Sequence, residues 1–112
     1  MADKKIKLNK LQNLTLSLLQ ELAQDPDVAI TDETSGEVTI PHMPHAHGDH
    51  MHIGRFTVSS RDASGFSNQA VWTSLERKAL ARGNFPLSIT LTKAGLDFET
   101  GLLQSMAEES DH

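Results

Sequence analysis

A chain of 112 residues, 38% hydrophobic and 22% charged, has room for one packed domain but not two, and is too apolar for a disordered polyelectrolyte. It contains no cysteine, which excludes disulfide scaffolds, thiolate zinc centres and thiol catalysis. The formal net charge is −5, yet residues 55–95 carry six bases (Arg55, Arg61, Arg77, Lys78, Arg82, Lys93) against two acids, Asp62 and Glu76, so a polyanion would meet the middle third of the chain.

No apolar stretch approaches the ~20 residues needed to span a bilayer. The basic N-terminus leads into an amphipathic segment rather than a solid apolar run, which is not the pattern of a secretory signal. A soluble cytoplasmic protein, with no membrane contact, is expected. Residues 7–24 predict a helix, because Leu11, Leu14, Leu18 and Leu22 recur at spacings of three and four while Leu8, Leu16 and Leu19 widen the stripe. Asp25-Pro26 stops it. So broad a stripe calls for burial in a core or against a second subunit, and a homodimer through this helix is expected.

Residues 28–40 predict a hairpin, with β-branched arms at 28–31 and 37–40 around a Ser35-Gly36 turn. Pro41 and Pro44 prevent continuation in a central strand. Ile53 to Ser59 is expected to form one more strand or to lead into a short helix. Residues 67–82 predict the next helix, capped by Ser67, with Val71, Trp72, Leu75 and Ala79 on its apolar face and Gly83 and Pro86 ending it. Leu87 to Leu91 alternates as a short strand. Thr92 can cap a last helix through about Met106, with Leu96, Leu102, Leu103 and Met106 inward and a flexible acidic tail from about residue 107. A single domain over 1–112 is expected.

Over residues 57–103 the order and wording of these segments resemble winged helix-turn-helix transcriptional regulators. Thr57-Val58-Ser59 through Gly65-Phe66-Ser67 is similar to the lead-in of a helix-turn-helix. Residues 70–82, AVWTSLERKALAR, resemble its recognition helix, and Leu91-Thr92-Lys93-Ala94-Gly95 resembles the step from the wing into the last helix. The resemblance implies an α+β fold of winged helix-turn-helix type, here with a β-hairpin and His-rich insert after the first helix, and a homodimer that reads duplex DNA. On a helical wheel, the side opposite Val71, Leu75 and Ala79 presents Gln69, Ala70, Thr73 and Arg77, short polar groups and one bidentate donor suited to base edges. Lys78, Arg82 and Lys93 could reach phosphates.

Five of the six histidines fall within residues 42–52. If Gly48-Asp49 forms a tight turn, His47 faces His50 and His45 faces His52, and the four imidazoles, ~5 Å apart across strands, could chelate Zn²⁺, Ni²⁺ or Cu²⁺. His45-Ala46-His47-Gly48-Asp49-His50 is also similar to the HxHxDH string of metallo-β-lactamase-like hydrolases. That family needs a much longer sandwich and further distant ligands. No nucleophile elbow or phosphate loop occurs, so an enzyme is not expected. The expected function is a small DNA-binding regulator that needs no cofactor. The alternatives are a protein-interaction module on the same scaffold and a His-hairpin metal binder.

Overall fold

In the computed structural model, described here over residues 6–45, 48–54 and 56–101, helix α1 spans Lys10–Ala23. It starts later than the leucine periodicity because Asn9 caps it: the Asn9 carboxamide oxygen accepts from the Gln12 N–H at 2.8 Å, and the Gln12 side chain accepts from the Asn9 N–H at 3.0 Å. Leu16, Leu18, Leu19 and Leu22 are buried, and Leu8, Leu11 and Leu14 are half-buried against the same core. The broad stripe is thus covered by the chain's own sheet and helices. A second subunit is not required to bury it.

The expected hairpin forms as β1 (Ile30–Thr31) and β2 (Val38–Ile40), with Ile30 opposite Thr39 and Thr31 opposite Val38. The Asp32 carboxylate accepts the Thr34 N–H at 2.8 Å and Gly36 sits at φ 79°, so the turn chemistry lies in the residues between the arms. Two later strands, β5 (Ala81–Asn84) and β6 (Ser88–Leu91), complete an antiparallel sheet of order β1–β2–β6–β5. Val38, Ile40, Ala81, Ile89 and Leu91 point inward, and Thr39 and Thr90 join their hydroxyls across the outer side at 2.8 Å.

Between β2 and the next helix the chain makes a separate hairpin, β3 (His50–Ile53) with β4 (Phe56–Ser59), followed by a 3₁₀ turn at Ser64–Ser67. The segment resembling a helix-turn-helix lead-in is therefore a strand followed by a single tight turn. Phe56, Val58, Ala63 and Phe66 alternate or cluster inward, and this burial favours the extended form over a helix. Gly54, at φ 57°, opens the β3–β4 connection where a Cβ would lie 2.7 Å from the Glu21 Cγ of α1.

Helix α2 covers Gln69–Arg77, with Asn68 rather than Ser67 as its cap, accepting the Ala70 N–H at 3.0 Å. It ends five residues before the expected boundary. Lys78 closes the helix and Ala79 turns into the left-handed region at φ 60°. The Ala79 N–H donates to the Glu76 carbonyl at 3.0 Å and the Leu80 N–H to the Leu75 carbonyl at 2.9 Å, a Schellman closure. Leu75 and Leu80 are both fully buried beneath it. The freed carbonyls are captured by Thr92, whose hydroxyl donates to Ala79 at 2.7 Å and whose N–H donates to Leu80 at 3.1 Å. Glycine is the natural residue at such a position. Ala79→Gly is expected to raise the unfolding free energy by about 0.5–1 kcal/mol, the left-handed strain relieved less the added chain entropy. Urea titration checks this, and a loss of stability would contradict the assigned backbone.

Thr92 also caps α3 by accepting the Gly95 N–H at 3.0 Å. That helix is short, Lys93–Asp97, because Phe98 is already extended. Leu96 packs against the core as expected, while Leu102, Leu103, Met106 and the acidic tail lie outside the described residues. The Gln20 carboxamide, donating at 2.9 Å to the carbonyls of both Gly95 and Phe98, ties this end of the chain to α1. The architecture is α+β, with helices packed on an antiparallel sheet and a second small hairpin beside it. Among the described residues no helix is long and apolar enough to cross a membrane.

Candidate nucleic-acid interface

The inner face of α2 is set by Val71, Trp72 and Leu75, all buried. The opposite side therefore points outward. Gln69, Ala70 and Arg77 are exposed and Thr73 is half-buried. Arg77 makes no ion pair among the described residues. This row carries a carboxamide, a hydroxyl and a guanidinium along a helix of about 13 Å, the donor and acceptor types that read base edges.

The three other cations have partners within the chain. Lys78 sits at the helix end, where its ammonium donates to the Lys7 carbonyl at 2.6 Å. That bond brings Lys7, itself exposed, against the end of α2 at Lys78, and the first residue of α1, Lys10, is also exposed. Arg82 departs from expectation: it stands on β5 opposite Thr90, not on α2. Its guanidinium forms a two-point pair with Glu37, one bond measuring 2.8 Å. The Arg82 hydrogen bond holds the Glu37 carboxyl below the usual carboxylate range, opposed by desolvation and with a lesser contribution from the Arg82 charge, and Glu37 raises Arg82 in turn. Lys93 lies 3.5 Å from Asp97, one turn along α3.

The Glu76 carboxylate, next to Arg77 in sequence, is held by the Gly83 N–H at 3.0 Å and so anchors β5 to α2. The cationic end of the surface is thus Arg77, Lys78 and Lys7. Wheel geometry alone finds Gln69, Thr73 and Arg77. Nothing local marks Lys7, which meets Lys78 across 71 residues of sequence, or the Arg82–Glu37 pair across 45.

The expected histidine quartet is placed only in part. His50 and His52 come together on β3, but across the hairpin they face Ser59 and Thr57 of β4, not the earlier histidines. His45 is exposed and outside any strand, and His47 lies outside the described residues. Among the described residues no three His, Cys, Asp or Glu side chains converge on one point.

No protein-family model, curated protein or solved structure matches the chain.

Proposed function

We propose that the protein is a winged-helix regulator that binds duplex DNA through the outer face of α2. The observation that carries this is the order α1, β2, α2, β5, β6, α3, in which β2 pairs with the β5–β6 hairpin and α2 keeps Gln69, Thr73 and Arg77 directed away from the core. Such an arrangement presents a helix for the major groove with a hairpin beside it. The β3–β4 hairpin and the 3₁₀ turn stand where the lead-in helix of that fold would be. Gln69, Thr73 and Arg77 read base edges, while Lys78 contacts phosphate. Arg82 and Lys93 serve phosphate contacts only by exchanging their carboxylate partners. The regulator acts in the cytoplasm as a homodimer, so that two α2 helices reach successive half-sites; its dimer contact lies away from the buried leucines of α1.

The test is fluorescence anisotropy with labelled duplexes over 50–200 mM salt. Arg77→Ala with Lys78→Ala is expected to weaken binding by at least about 1–3 kcal/mol and to flatten the log–log salt slope by about two. Absence of salt-sensitive binding by the wild type would remove the proposal.

A second reading, a protein-interaction module on the same scaffold, draws on Leu87, 63% exposed beside the β5–β6 turn, and Ile30, equally exposed on the edge strand. The same low-salt DNA titration separates the two readings, since tight nonspecific binding counts against the second.

A further inference from the structure

The histidines of β3 are remote in role from the α2 surface and have a geometry of their own. Along β3, Met51 and Ile53 pack on the core, Ile53 completely buried. His50 and His52 therefore occupy the outer face, in register with Ser59 and Thr57. Their ring centroids are 5.0 Å apart at an interplanar angle of 88°. Each ring also has an oxygen at Nδ1: the Asp49 carboxylate lies 3.5 Å from that of His50, and the Thr57 hydroxyl 3.4 Å from that of His52.

Metal-binding histidines commonly ligate through one nitrogen while the other donates its hydrogen to a carboxylate or another oxygen, which sets tautomer and ring direction. With the proton on Nδ1, the lone pair lies on Nε2. Here both histidines, neighbours on one face of a strand, have such an oxygen supplied by a different residue. We propose that the outer face of β3 binds a borderline divalent cation, Zn²⁺, Ni²⁺ or Cu²⁺, through Nε2 of His50 and His52, with Asp49 and Thr57 orienting the two rings. The strand that carries both rings is held in place, because four paired positions join β3 to β4 and Ile53 anchors it from below. Among the described residues these two are the protein ligands, and water takes the remaining coordination positions. The site is therefore an exchangeable one, unlike a closed four-ligand structural centre. Affinity follows the general order for divalent ions, Cu²⁺ above Ni²⁺ and Zn²⁺.

Isothermal calorimetry of the full chain with ZnCl₂ and with CuCl₂ tests the assignment. The wild type should bind both, copper more tightly. His50→Ala/His52→Ala should weaken binding by more than tenfold, and Thr57→Val by about tenfold through loss of ring orientation alone. His42→Ala/His45→Ala should leave the affinity unchanged. All of these side chains are at least partly exposed, and circular dichroism verifies that each variant folds. The proposal is overturned if the wild type takes up neither ion, if the His50/His52 variant binds like the wild type, or if His42→Ala/His45→Ala loses as much as His50→Ala/His52→Ala.

Discussion

Trp72→Ala is expected to lower the unfolding free energy by about 3–5 kcal/mol, the usual cost of removing a buried indole. Trp72 is 1% exposed, and three parts of the fold meet on it. Its Nε1–H donates to the Gly65 carbonyl at 3.2 Å, which ties α2 to the 3₁₀ turn. Phe85, in the turn after β5, packs edge-on against it with ring centroids 4.9 Å apart. Gly83 of β5 lies so near the ring plane that a Cβ there would stand 2.8 Å from Cε3. Truncation therefore opens a cavity between α2 and the β5–β6 hairpin and removes one of two donors to the Gly65 carbonyl, the other being the Asn68 N–H at 3.2 Å. Native domains are stable by about 5–15 kcal/mol, so this substitution alone removes a large share of the stability. Trp72→Phe should cost less, because much of the packing survives while the hydrogen bond is lost. Urea unfolding of the two variants gives both values, and a loss below ~1 kcal/mol for alanine would mean that the indole does not occupy this junction.

Gly95→Ala is expected to destabilise the protein by about 3 kcal/mol, a result opposite in sign to what helix propensity predicts. Alanine is favoured over glycine within helices by roughly 1 kcal/mol, and Gly95 is a helical residue of α3. A Cβ at this position, however, would overlap the Leu80 carbonyl oxygen and lie 2.9 Å from its carbon. The obstacle is backbone, which has no rotamer with which to retreat. That same oxygen accepts the Thr92 N–H at 3.1 Å, so relief of the overlap pulls apart the junction that closes α2 and starts α3. Overpacking of this kind costs about 1–3 kcal/mol and occasionally more. Ala94→Gly, one position earlier and exposed, is the matching control, with only the ordinary propensity loss expected. Stabilisation by Gly95→Ala would show that α3 does not approach Leu80 so closely.

The neighbourhood of Leu80 also explains why the boundary of α2 was not legible in its own sequence. Residues 67–82 hold a helical pattern throughout, and no glycine or proline interrupts them. What ends the helix at Arg77 is the demand of distant chain. Leu80 is buried under the Schellman turn, Ala81 pairs with Leu91, and Thr92 binds the carbonyls that the helix gives up. Continuing the helix is worth at most a few tenths of a kcal/mol per residue. Burying one leucine is worth about 1.5–3 kcal/mol. Burial prevails and carries Arg82 out of the helix onto β5, where Glu37 meets it.

Short-range patterns, by contrast, were sufficient wherever a whole element had a single apolar side. The leucine spacing of α1, the β-branched arms around Ser35-Gly36, the alternation that ends at Leu91 and the Thr92 cap are all local signals, and each element forms on its signal, although α1 begins later and α3 ends sooner than the pattern. The outward row of Gln69, Thr73 and Arg77 follows from the same periodicity, since the position of one face of a helix fixes the other. Tertiary structure alone decided the partners: β4 rather than the earlier histidines paired with β3, Lys7 beside Lys78, Glu37 beside Arg82, and the chain's own core around the leucines of α1. Pairings of that kind depend on which burial is largest once the whole chain competes for one core, a quantity that no window of neighbouring residues contains.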